Sequence, residues 1–210
     1  MDGTPCGCNT LGEMPTREPA MTIRGLLLST AIAAAALAGS QAHAAITVLG
    51  QSLAHNCYEA AEFGGDPEQG IATCSYALDG VMSSHDRAAT YINRGILRAR
   101  ADRPDDALAD YNHGLVLNDT LGEGYVDRGA TLIVLKRYED ALADINKGIG
   151  IGAKRPEIAY YDRAIVDEAL GDVRGAYLDY RKAVDIAPGF TLASEQLARF
   201  RVIHKQTNGT

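Results

Sequence analysis

The sequence predicts an all-α fold, a solenoid of about four stacked antiparallel helix hairpins closed by a C-terminal capping helix. Three observations predict it. Similar stretches open at Tyr91, Tyr125 and Tyr160, which are 34 and 35 residues apart. Small residues recur in register as Gly95/Gly129/Ala164, Ala107/Ala141/Ala176 and Gly114/Gly148/Ala183. Apolar residues recur at i, i+3 and i+7 as Leu108/Tyr111/Leu115, Leu142/Ile145/Ile149 and Tyr177/Tyr180/Val184. That spacing is one helical stripe, and a period near 34 marks a helix–turn–helix repeat. No single hairpin of this kind buries both its faces, so neighbours must stack.

The segments follow in order. Residues 1–20 carry no periodicity and form an N-terminal extension of doubtful standing; Cys6 and Cys8 there lack further ligands for a metal. Residues 21–44 read as a secretory signal peptide. Arg24 is the one charge, an apolar run spans Gly25 to Gly39, and Ala42-His43-Ala44 supplies a cleavage site before Ala45. The run is shorter than the roughly 20 residues a membrane span needs, so no stable membrane anchor is expected after cleavage. A divergent first repeat is expected at about 48–81, where Gly64-Gly65-Asp66-Pro67 gives a turn, an N-cap and a helix start. Repeats follow at 88–121, 122–156 and 157–190. In the first of these, Pro104 opens the second helix and Asp102 is its expected cap. Pro188-Gly189 stops the last hairpin, a capping helix is expected at 191–204, and 205–210 is a flexible tail.

These residues resemble the tetratricopeptide repeat family, whose signature is W-x2-L-G-x2-Y, then A-x3-F, then Pro. Tyr91, Tyr125 and Tyr160 stand at the Trp site, and Gly95, Gly129 and Ala164 at the Gly site. The A-x3-F element appears as Ala107/Tyr111, Ala141/Ile145 and Ala176/Tyr180, and only Pro188 meets the terminal Pro. The resemblance implies a right-handed solenoid whose first helices line a concave groove. It places Ile92, Ile96 and Ala99, then Val126, Ala130 and Ile133, then Tyr161, Ile165 and Glu168 in that groove. These are mostly apolar, which suits a hydrophobic peptide or amphipathic helix. Relatives that grip a carboxylate-ended peptide carry Lys, Arg and Asn there. The stripe could equally be packed against neighbouring helices or filled by the terminal helix.

Cys57 and Cys74 are equidistant from the Gly64–Pro67 turn, so an antiparallel hairpin sets them side by side. In an exported chain this predicts a disulfide; two buried free thiols are the other reading. Arg94/Asp110, Arg128/Asp144 and Arg163/Asp179 are likewise nearly equidistant from their turns. They predict a structural Arg–Asp ladder, within each hairpin or reaching the adjacent repeat.

Composition excludes much else. A net charge of -7 over 210 residues argues against a nucleic-acid partner. Residues 45–86 hold six acids and no Lys or Arg, which concentrates the acidity in the first hairpin. His55, His85, His113 and His204 share no metal-ligand spacing, so no metal or other cofactor is expected. Asp102, Asp105, Asp106 and Asp110 lack calcium-loop spacing and read as a solvated helix face. Gly148, Gly150 and Gly152 lack the strand that a nucleotide loop needs and read as loosened packing or fraying at a helix end. The expected function is a non-catalytic protein–protein interaction scaffold in the periplasm or outside the cell, with a protein or peptide partner. The alternatives are an accessory subunit of an envelope enzyme, for which only Glu168 with Tyr161 approaches an acid–base pair, or a self-associating helical subunit.

Overall fold

The computed structural model describes residues 53–200; the signal segment, its cleavage site, Cys6, Cys8 and the tail from 205 lie outside them. Nine helices follow one another in the described residues. They are α1 (53–63), α2 (Pro67–Asp79), α3 (Ser84–Arg100), α4 (Pro104–Leu117), α5 (Gly122–Val134), α6 (Tyr138–Ile151), α7 (Pro156–Leu170), α8 (Val173–Ile186) and α9 (Thr191–Leu197).

Local chemistry sets many of the boundaries. Asp66 accepts a hydrogen bond from the Glu68 amide, and Pro67 opens α2. Ser83 accepts from the Asp86 amide at the start of α3, while its hydroxyl donates to the Asp86 carboxylate. Asp172 caps α8 by accepting from the Gly175 amide. Pro104 and Pro156 occupy first turns, where a missing N–H leaves no partner wanting.

The tight turn inside each later hairpin needs one residue in the left-handed region. Asp102, Lys136 and Gly171 fill that place in register, with φ of 57°, 58° and 88°. The next amide then donates back to the helix end, Arg103 to Arg98, Arg137 to Leu132 and Asp172 to Asp167. Asp102 is therefore not the cap of α4. Its backbone makes the turn, and the N-cap residue Arg103 forms no side-chain capping bond. The Gly148–Gly152 stretch also differs from its sequence reading. α6 runs without fraying to Ile151, and Gly152 ends it at φ 96°.

α3 packs on α4, α5 on α6 and α7 on α8, and each pair packs on the next through α2–α3, α4–α5 and α6–α7. The first helices also meet directly, α3 with α5 and α5 with α7. The in-register small residues allow these approaches. A Cβ at Gly95 would lie 2.7 Å from the Tyr111 ring, and one at Gly129 would lie 2.6 Å from Ile145. At the other end of the α5–α6 hairpin, a Cβ at Gly148 would meet Val126 at 2.7 Å and the Gly122 carbonyl at 2.8 Å, and between hairpins one at Gly124 would meet Ile92 at 2.8 Å. Ala107, Ala141 and Ala176 are fully buried at the matching seam.

The capping helix is shorter than the expected 191–204. It stops at Leu197 and turns, with the Phe200 amide donating to the Leu197 carbonyl. The turn lays Phe200 against Tyr177 and Tyr180 on α8.

The two glycines of α6 separate packing from propensity. Gly148→Ala should cost about 1–3 kcal/mol, because backbone faces the new methyl. Gly150→Ala meets nothing within 4 Å and should stabilise by about 0.5–1 kcal/mol through helix propensity. Urea denaturation of the two variants checks the opposite signs.

Candidate functional site

The repeat arginines occupy the seams between helices. Arg94 donates through Nε and Nη2 to Asp110, both at 2.8 Å. Arg128 does the same to Asp144 at 2.7 Å, and Arg163 to Asp179 at 2.6 and 2.9 Å. The remaining nitrogen, Nη1, crosses to the preceding hairpin, at Ser75 Oγ, Asn112 Oδ1 and Asn146 Oδ1 respectively. Each guanidinium thus joins three helices. It also lies over the repeat's own aromatic ring, Tyr91, Tyr125 or Tyr160, at 5.2–5.4 Å from the centroid. Asp110 is 1% exposed and also accepts from Arg98, so it is no part of a solvated acidic face. In the first hairpin the Arg/Asp pairing is absent and Cys57 and Cys74 stand instead, their sulfurs 2.13 Å apart.

The expected groove residues divide. Ile92 and Val126 are each 5% exposed and belong to the core, where they fill the space over Gly114, Gly124 and Gly148. Ile133 packs against the core formed around Leu132 and Ile145. Tyr161 lies against Tyr180 and Phe190, and Ile165 packs in the cluster that holds Leu197 and Phe200. The C-terminal third of the stripe is therefore covered by the chain itself. Ile96 and Ala130 do line open space. Ile96 borders both a cavity of about 260 Å³ between α1, α3 and α5 and one of about 340 Å³ beside Ala99 and Ala130.

Glu168 does not pair with Tyr161. It accepts from the Tyr180 hydroxyl at 2.9 Å and pairs with Arg199 at 3.1 Å. The one arrangement that approached acid–base chemistry in the sequence is thus a structural tie to the cap. Among the described residues, no group of three or more His, Cys, Asp or Glu is placed to hold a metal ion.

A polar row on the first helices went unread in the sequence. Asn93, Asp127 and Asp162 share one repeat position, each just before a ladder arginine. Asp127 lines both cavities above. Burial pushes its carboxyl up to about 7, with Glu123 and Glu62 raising it further and Arg155 and Arg100 opposing. Burial and the Asp127 charge push Asp162 up to about 7 as well. Both residues keep some accessible surface. A carboxyl strongly desolvated yet reachable lies at the floor of a concavity. The signal that could have found it was the 34-residue period itself, applied to the acidic column beside the apolar one.

No family model matches the chain, and no curated protein is found to match it. Solved structures do match. The Arabidopsis OM64 TPR domain is 23% identical with a TM-score of 0.54, over 57% of this chain and 98% of that one. PilW, described as a widely conserved type IV pilus biogenesis factor, is 20% identical with a TM-score of 0.63, over 71% and 67%. The second TPR domain of human RPAP3, solved with the HSP70 peptide SGPTIEEVD, is 20% identical with a TM-score of 0.52, over 56% and 97%. The chain has the tetratricopeptide-repeat fold.

Two predictions follow from this geometry. Asp110→Ala should cost about 3–5 kcal/mol, because two guanidinium groups lose their partner in a buried seam. Arg103→Ala, which removes an exposed pair with Asp106, should leave the denaturation midpoint nearly unchanged. Asp127→Asn should act in the opposite sense and with pH. A carboxyl raised in the folded state binds more protons folded than unfolded between about pH 4 and pH 7, so the parent loses stability across that window. At pH 8 the variant should therefore be more stable by on the order of 1 kcal/mol, and the gain should vanish by about pH 4. Thermal melts at the two pH values check it.

Proposed function

We propose that this chain is an exported, non-catalytic interaction scaffold of the cell envelope, which holds a peptide or helix of a partner protein in the groove of its first helices. The groove itself carries the reading. Ile96, Ala99 and Ala130 border open cavities on adjoining first helices, while Glu168, the acid beside Tyr161 in the sequence stripe, is tied to Tyr180 and Arg199. The peptide-bound RPAP3 structure supports a peptide as the kind of ligand. Export is supported by the signal-like segment at 21–44 and by cysteines at bonding distance. Among the described residues no helix is long and apolar enough to cross a membrane. A disulfide closing this loop would stabilise by roughly 3 kcal/mol on the chain-entropy model.

The test is expression of the full chain in a bacterium, followed by fractionation. The expected product is periplasmic, begins at Ala45 and releases no free thiol under denaturant. An uncleaved cytoplasmic product with free Cys57 and Cys74 would overturn the export reading. A photo-crosslinking residue at position 130 should capture a protein in the same cells, while one at the highly exposed Val116 should not. Equal yields at both positions would remove the groove from the proposal.

A further inference from the structure

Three features of the groove floor converge on one kind of occupant. The first is a pair of carboxylates that make no ion pair. Asp127 and Asp162 sit at the same position of adjacent first helices, and neither makes a side-chain hydrogen bond or ion pair to another described residue. The cationic groups nearest in sequence, Arg128 and Arg163, are fully engaged, with Nε, Nη1 and Nη2 each bonded in the ladder. Around Asp127 the facing charges are Arg100, Lys154 and Arg155 against Glu62, Asp102, Glu123 and the neighbouring Asp162. The floor therefore carries more carboxylates than cations.

The second feature is desolvation. Water does not fully repay the charge of either carboxyl, so both are held toward the neutral form. A cation placed there by a ligand would offset the excess of negative charge that Arg100, Lys154 and Arg155 leave. The third feature is shape. The cavities that Asp127 borders are walled by Ile96, Ala99, Ala130 and Leu121, which is a fit for an aliphatic stem ending in a charged head.

We propose that this groove takes an arginine side chain of the partner peptide, its guanidinium against Asp127 and Asp162 and its stem along Ile96 and Ala130. This rests on the groove being the binding site. Arginine suits the place better than lysine. Its guanidinium is weakly hydrated and planar, and its five donors can serve two carboxylates at once, whereas an ammonium gives up more hydration on entering a desolvated floor.

The probes are an acetylated, amidated nonapeptide of leucine and alanine with one central arginine, and its citrulline and lysine counterparts. Each is titrated onto the full chain by fluorescence anisotropy. The arginine peptide should bind at least tenfold more tightly than the citrulline peptide at pH 8. The Asp127→Asn/Asp162→Asn variant should reduce it to the citrulline level, and the contrast should shrink at pH 5, where both carboxyls are protonated. Ala130→Phe, which fills the cavity, should weaken all three peptides. Equal binding of the arginine and citrulline peptides, with both lost in Ala130→Phe, overturns the arginine assignment and leaves the groove reading standing. No binding by any peptide overturns both. Lysine binding as tightly as arginine overturns the choice of guanidinium. Arginine-dependent binding that emerges only after removal of residues 201–210 makes the chain's own tail the occupant and overturns an external partner.

Discussion

The stack depends on one interaction, the guanidinium of each repeat arginine wedged between three helices. Its Nε and Nη2 close a hairpin on the aspartate sixteen residues on, and its Nη1 reaches the hairpin before. A planar fork can do this because its donors point in fixed, divergent directions. Lysine would offer a point charge and could not define both contacts. The pairing is not a large source of net stability, since desolvating both ions offsets much of their attraction. Its value is registry. Apolar stripes such as Leu108/Tyr111/Leu115 tolerate sliding by a fraction of a turn, and a bidentate pair does not. The last hairpin shows the logic at its end. Arg181 stands where Asn112 and Asn146 receive the next arginine, and with no further ladder arginine to receive, it lies beside Tyr177 instead.

Most of the fold was legible because it is periodic. A period is a strong signal when small residues and apolar stripes both follow it. The ladder partners were legible for the same reason, since equidistance from a turn puts side chains together in any antiparallel hairpin. The turn chemistry was less so. Asp102 looks like a cap because aspartate caps helices well, yet its place in register with Gly171 marks it as the left-handed residue. Of the three later hairpins only the last carries a glycine there, as the divergent first hairpin does at Gly64 and Gly65. The groove was legible only in part, for a different reason. A helix position toward a concave face can be core or surface depending on how close the next helix comes. Gly114, Gly124 and Gly148 bring those helices close enough to bury Ile92 and Val126. Sequence shows the glycines but not which side chain they draw in. At the C-terminal end, the cap covers Tyr161 and Ile165 because Phe190, Leu197 and Phe200 return across α7 and α8.

The ladder and the groove are linked by a single step along the chain. Asp127 precedes Arg128, and one residue turns a helix by about 100°. Arg128 therefore enters the seam while Asp127 borders the groove cavities, and Asp162 precedes the ladder arginine Arg163 in the same register. Because the arginine is held on all three of its nitrogens, it cannot swing back to neutralise its neighbour. A surface helix with Asp and Arg adjacent would let the two ions and water share the charge freely. Here the seam fixes the cation, and the concavity withholds water from the anion. The constraint that gives the stack its register is thus the same one that keeps Arg128 from adding to the cations around Asp127. Seam-building residues and groove-facing carboxyls stand side by side in one repeat motif, so a change in either is felt by the other. Releasing Arg128 from Asp144 would weaken the seam and at the same time free a cation to occupy the floor. The preference proposed for a positive ligand would for that reason be a property of the intact stack and not of the acidic residues alone.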